Sequence, residues 1–335
     1  MSSKAEADNF VTALFRGLLR RDPDMESLSH FTDEIMNGRP HLEVLEEFMK
    51  SQEYQDIHKV KLFVPPGHFY SPIVPPEEGL RQIERIENAP YPHALQNVGV
   101  NRADIVATWN KLLPYLRAVP FPDQPSAGFR YAFNNPAYST GDGSILHAML
   151  RLHRPKRMIE IGSGWSSACT VDTISREGID CQLTFIEPYP QLLLSLLGPS
   201  KSNVNIVPKR IQDVSLHLFD ALQSGDFLFI DSTHIVRTGS DVCYEIFDIL
   251  PRLAPGVIVH IHDIFWPFEY PRTWVIDENR SWNELYLIRA FLSHNRDWKV
   301  VFFNDYMARM ESELASQTFP RFMSNPGSAL WLQRI

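Results

Sequence analysis

The sequence predicts an α/β protein, a doubly wound and largely parallel sheet of seven strands preceded by a small all-α module. Three observations carry this. From Ser144 onward, strand-like and helix-like runs alternate, the order expected when helices cover both faces of a parallel sheet. Within that region Arg157–Thr170 (RMIEIGSGWSSACT) reads as strand, glycine turn and helix. Met158, Ile159 and Ile161 form an apolar run that carries one acid, Glu160. It ends in Gly162-Ser163-Gly164, and the helical pattern Ser166–Glu177 follows at once. Before it, residues 1–60 show only the apolar spacing of short amphipathic helices.

The bulk properties bound the function. A chain of 335 residues holds one large α/β domain and a smaller one. Its 44% apolar content is that of a globular protein, and a net charge of −8 argues against a nucleic-acid backbone as the main partner. The opening MSSKAEADNF lacks the apolar core of a signal peptide, and no apolar run approaches the roughly 18 residues that span a membrane. Cys169, Cys181 and Cys243 match no metal-binding spacing. They are read as reduced thiols, and the protein is expected to be cytoplasmic.

The elements follow in order. Phe10, Leu14 and Leu18 share a helical face that Arg20-Arg21-Asp22-Pro23-Asp24 ends. Leu28, Phe31 and Ile35 mark a second helix, closed by Gly38 and Pro40. Leu42, Leu45, Phe48 and Met49 mark a third. Residues 1–60 are therefore expected to be a helical module with a possible protein-contact role. Residues 61–125 are expected to pack on the α/β domain that follows, with Lys61–Pro92 extended and irregular because it is rich in proline and aromatics. Val100–Leu116 reads as a helix and Pro120–Pro125 as a loop. In residues 126–335 the strand candidates are Met158–Ile161, Leu183–Ile186, Val204–Val207, Phe227–Ile230, Val257–Ile261, Lys299–Phe303 and Ala329–Gln333. Helix candidates besides Ser166–Glu177 are Gln191–Leu197, Val214–Leu222, Asp241–Leu250 and Asn283–His294.

Ligands of such sheets bind beyond the carboxyl ends of the strands. After the first strand stand Gly162, Ser163 and Gly164. After the second stands Glu187, whose carboxylate can accept both hydrogen bonds of a ribose diol. The third leads to Asp213, a candidate for an adenine amino group or for a helix cap. The fourth ends in Asp231-Ser232-Thr233-His234 and the fifth in His260-Ile261-His262-Asp263. A dinucleotide fingerprint would place a third glycine where Ser167 stands. Glu160 before the turn points instead to S-adenosylmethionine, because an acid there orders the glycine turn near the cofactor's positively charged methionine end. Asp142, in Gly141-Asp142-Gly143, is read as reaching the cofactor amine. His260 is expected to alternate away from His262 into the sheet packing.

Lys61–Ile335 resembles the class I S-adenosylmethionine-dependent methyltransferases, especially a bacterial small-molecule and sugar-type subgroup. The stretches that carry the resemblance are GHFYSPI (Gly67–Ile73), NNPAYSTGD (Asn134–Asp142), IEIGSGWSS (Ile159–Ser167), FIEPYP (Phe185–Pro190), FLFIDSTHIVRTGSDV (Phe227–Val242) and LAPGVIVHIHDIFWPFEYP (Leu253–Pro271). The resemblance implies a seven-stranded Rossmann-like sheet whose last strand is inserted antiparallel, a place that suits SALWLQRI. It implies that Glu160, Gly162 and Gly164 hold the methionine and ribose side, with Ser163 in the same turn, and that Glu187 holds the ribose hydroxyls. FVTALFRGLLRRDPDMESLSHFTDEIMNG (Phe10–Gly38) resembles a small helical module of unknown function related to phycobilisome linkers.

Methyl transfer to a hydroxyl needs in-line alignment, exclusion of water, and a base or metal that removes the acceptor proton. In related sugar O-methyltransferases, residues at the fourth and fifth strand ends hold magnesium and a nearby histidine is the base. Carried over, Asp231 and Asp263 are the metal ligands and His234 the base. The family tends to have an acid where this chain has His262. That puts magnesium in question and leaves His262 open as a base. Nine aromatic residues (Phe69, Tyr70, Tyr131, Phe133, Tyr138, Phe265, Trp266, Phe268 and Tyr270) are read as either pocket wall or packing. The expected acceptor is a hydroxyl of a small molecule or glycan. The alternatives are a nicotinamide oxidoreductase and a non-catalytic cofactor-binding scaffold kept for the partner of its N-terminal helices.

Overall fold

A computed structural model describes residues 3–58, 63–138, 140–198 and 204–335. The chain divides into two compact units, Met1–Ser71 and Pro72–Ile335. The first holds α1 (Lys4–Leu18), α2 (Met25–Met36), α3 (His41–Lys50) and α4 (Gln52–His58). Ser3 and Glu6 close a reciprocal cap on α1, and Asp24 caps α2. The predicted apolar faces meet in a small core of Val11, Leu14, Phe15, Ile35, Val44 and Phe48. The helix α4 was not expected.

The second unit begins with α5 (Pro76–Glu87) and α6 (Arg102–Leu116). The expectation of an extended Lys61–Pro92 is thereby corrected. Pro76 occupies the first helical turn, where its missing N–H costs nothing, and Glu77 and Glu78 suit the positive end of the helix. Then come α7 (Thr140–His153), β1 (Arg157–Ile161), α8 (Trp165–Glu177), β2 (Gln182–Ile186), α9 (Gln191–Leu197), β3 (Val204–Val207) and β4 (Phe227–Ile230). After these lie α10 (Asp241–Tyr244), β5 (Ile258–Ile261), α11 (Glu284–Leu292), β6 (Trp298–Phe303), α12 (Asn304–Met310), α13 (Ser312–Thr318) and β7 (Leu330–Arg334). The candidate helix Val214–Leu222 is a tight 3-10 segment, Leu216–Ala221. The candidate Asp241–Leu250 begins as α10 and widens into a π-type turn, Glu245–Ile249, ahead of Pro251.

The sheet order is β3-β2-β1-β4-β5-β7-β6. Strands β1 to β5 are parallel, and β7 runs antiparallel between β5 and β6. Four isoleucines stand in register across the carboxyl edge: Ile186, Ile161, Ile230 and Ile261. Their apolar side chains are buried, so the residues that follow them, Glu187, Gly162, Asp231 and His262, emerge side by side on one rim. Most of the aromatic series is packing: Tyr131, Phe133, Tyr138, Trp266, Phe268 and Tyr270 are buried in the core, whereas Phe69 and Tyr70 are exposed. Among the described residues no helix is long and apolar enough to cross a membrane.

Candidate active site

The rim is built outward from β1. Glu160 is wholly buried and accepts hydrogen bonds from Ser166 Oγ (2.5 Å) and Ser167 Oγ (2.9 Å) at the start of α8. Its Oε2 has no partner, and neither does the buried Oγ of Ser163. Burial pushes the Glu160 carboxyl up to about 8, the two serines offset part of that rise, and Asp231 and Glu187 add to it. Ser167 also accepts from the Gly164 N–H (3.1 Å), so the residue that replaces a third glycine ties the acid to the turn. Gly162 adopts φ +77°, and a Cβ there would collide with the carbonyl oxygen of Asp231. That close approach lets β1 and β4 deliver their end residues to one point. Glu187 accepts from the N–H groups of Ser163 (3.3 Å) and Tyr189 (2.8 Å).

A cleft of about 490 Å³ opens over these strand ends. Its walls include Gly162, Glu187, Ile211, Gln212, Asp231 and Ser232. Asp213 is not part of it. Its carboxylate pairs with Arg210 (2.9 Å) at the exposed surface, and the following 3-10 segment is capped by Ser215 instead. Asp142 stands in the first turn of α7. It is buried and accepts from Asn304 Nδ2 (3.0 Å) and Ser328 N (3.1 Å), joining α7 to the chain before β7.

Beside the cleft, β4 and β5 bring four predicted residues together. His234 Nε2 lies 3.4 Å from Asp231 Oδ1 and 3.6 Å from Asp263 Oδ2, and His262 Nε2 lies 3.5 Å from Asp263 Oδ1. His234 and Asp263 are both left-handed, at φ +61° and +57°. Backbone held in that region at a cleft marks a constrained site. Burial would raise the Asp231 carboxyl, but the nearby His262 and His234 hold it below its ordinary range. Burial would lower His234, yet its bonds to Asp231 and Glu284 and the charge of Asp263 set it well above the usual imidazole value.

The structure adds residues that no local sequence signal marks. Glu284, at the start of α11, is buried and lies 2.8 Å from His234 Nδ1. Trp282 packs on the His234 ring (4.3 Å between centroids), and the His234 carbonyl accepts from Asn283 N and Glu284 N. Ser328 Oγ donates to Asp263 Oδ1 (2.7 Å). His260 corrects its expectation. Residues two apart on a strand share a face, and His260 Nε2 lies 3.3 Å from His262 Nδ1.

Residues 159–264 match a family of methyltransferase domains, and residues 2–57 match a domain of unknown function (DUF4214). An uncharacterized protein of Archaeoglobus fulgidus is 30% identical over 166 residues, which is 49% of this chain and 75% of that protein. Among solved structures, the chain is similar to SAH-bound methyltransferase PaMTH1 of Podospora anserina, at 16% identity and TM-score 0.36 over 77% of this chain and 96% of that one. It is also similar to apo CmcI, at 17% identity and TM-score 0.37 over 76% and 95%. The family match spans the glycine turn and both strand ends of the cluster. Over residues 159–264 the chain thus carries a methyltransferase domain, set on a Rossmann-like sheet.

Proposed function

We propose that the protein transfers a methyl group from S-adenosylmethionine to a hydroxyl oxygen of a small molecule or glycan. The observation that carries this reading is the position of Asp231. It walls the cleft at the glycine turn and also belongs to the carboxylate–imidazole cluster, so donor and acceptor would meet at that residue. S-adenosylmethionine supplies an electrophilic sulfonium methyl. The residues present fit such a molecule. Glu160 Oε2 and Ser163 Oγ are buried polar atoms without partners near the glycine turn, suited to the methionine side. Gly162 and Gly164 keep side chains out of the turn. In this reading Glu187 takes the ribose hydroxyls, and Ile211 and Gln212, which line the same cleft, face the adenine.

His234 is the base of this reading. Its Nε2 faces the two aspartates while Glu284 holds Nδ1, so the ring presents one nitrogen to an acceptor hydroxyl and takes its proton. Asp231 and Asp263 are the carboxylates that would hold a divalent ion, whose charge lowers a hydroxyl pKa. We read the N-terminal helices as a protein-contact module.

Calorimetry with S-adenosylhomocysteine and with NAD tests the cofactor. Binding of the first without the second is the expected result. A screen of labelled methyl transfer to sugar nucleotides, glycan fragments and phenols, with and without chelator, tests the acceptor. A protein that binds no S-adenosylhomocysteine and methylates none of these would sink the reading.

A further inference from the structure

Resting on the methyl-transfer reading, we propose that Asp231, His262 and Asp263 form a site for a divalent first-row transition ion rather than magnesium, and that His260 positions His262 for it. One donor atom of each of the three residues lies within 4.8 Å of the others. Donors bound at about 2.1 Å to one ion stand at most about 4.2 Å apart, so small side-chain movements close the set. Two carboxylates balance a dication. Magnesium takes oxygen donors, whereas an imidazole nitrogen in the set favours cobalt, iron, manganese or zinc.

The surroundings hold each donor. Asp263 accepts from Ser328 Oγ, which fixes one carboxylate oxygen. His262 is oriented through His260. In the sheet register His260 stands between Phe229 of β4 and Trp331 of β7. Its ring lies flat on Phe229, with centroids 3.8 Å apart at 7°, and the Trp331 edge closes the other side at 4.7 Å. Thus clamped, His260 Nε2 faces His262 Nδ1 at 3.3 Å. A His262 ring that binds an ion through Nε2 keeps its hydrogen on Nδ1, and His260 Nε2 is the acceptor for that hydrogen. Outer partners of this kind set ring orientation and typically change metal affinity 10–100-fold. The set of mutually close donor atoms is Asp231, His262 and Asp263 and leaves out His234.

The test is calorimetric titration of the full-length, chelator-treated protein with cobalt(II) and with magnesium, alongside the visible spectrum of the cobalt form. Expected are one cobalt per chain and affinity at least about 100-fold above that for magnesium. His262→Gln should weaken cobalt at least about 10-fold and leave magnesium nearly unchanged. His262→Glu should shrink the cobalt-to-magnesium ratio by about 10-fold or more. His260→Gln should weaken cobalt about 10–100-fold. Absence of stoichiometric cobalt binding overturns the proposal, as does a cobalt affinity that His262→Gln leaves intact. S-adenosylhomocysteine binding, measured on the same samples, reports folding and separates the two readings. If it persists where cobalt fails, only the metal proposal falls; if it fails where cobalt binds selectively, only the methyl-transfer reading does.

Discussion

Glu284 Oε2 lies 2.8 Å from His234 Nδ1, although 50 residues separate the two in the chain. Both are buried, and the loop that carries His234 is stitched to the start of α11 by two further backbone bonds. An amide at this position keeps the size and loses the charge. Glu284→Gln is expected to lower kcat roughly 10–100-fold with little change in KM, because the ring loses its fixed orientation rather than its substrate. Steady-state kinetics decide this, and a pure KM effect counts against it. The variant should also lose about 3 kcal/mol in urea unfolding, the scale for breaking a buried pair.

The elevated pKa of His234 gives the reaction a sign. A base acts in its deprotonated form, so kcat should rise with pH through neutrality and go on rising above the usual imidazole range. His234→Gln should remove that rise and about 10²–10⁴ of the rate. A profile that levels below pH 6 contradicts the assignment.

Glu160 makes stability pH-dependent in the opposite sense from an ion-paired acid. Burial raises its folded value to about 8 from an ordinary 4.5. The folded protein then keeps a proton that the unfolded chain has released. The contribution is complete below the unfolded value and is lost as pH rises through the folded one. Urea unfolding should show stability falling by roughly 1.4 kcal/mol per pH unit between about 5 and 8. Glu160→Gln should flatten this slope.

Gly162→Ala should lose at least about 2 kcal/mol and S-adenosylhomocysteine binding together, since the new methyl meets the Asp231 backbone. Gly178→Ala is the control. It shares the positive φ, +55°, but faces open space. Thermal melts should show a cost of about 1 kcal/mol there, with binding retained.

Asp213→Ala should be nearly silent. The Arg210–Asp213 pair is exposed and screened by solvent, so it adds little to stability. A clear loss of S-adenosylhomocysteine affinity would return Asp213 to the cofactor site.

The sheet was legible because strands buried on both faces are written as short β-branched runs: IEI, TFI, LFI and IVHI all fall within observed strands. The strand-end rule then pointed to Gly162, Glu187, Asp231 and His262 without knowledge of the register. What stayed hidden has physical causes. Helix α7 is buried at ten of its fourteen residues, so it shows no amphipathic stripe. Glu284 and Ser328 reach the cluster through tertiary packing alone. The third strand leads to Asp213, but no pattern in the sequence shows that the guanidinium of Arg210, three residues earlier, takes its carboxylate.

The antiparallel insertion of β7 has a consequence for how the protein is made. β5 emerges from the ribosome some seventy residues ahead of the strand that covers it, while Ser328, which steadies Asp263, arrives just before that strand. A nascent chain halted in between carries an uncapped sheet margin and an Asp263 without its Ser328 donor. The ordering of the Asp263 cluster and protection from aggregation are thus acquired in the same late folding step.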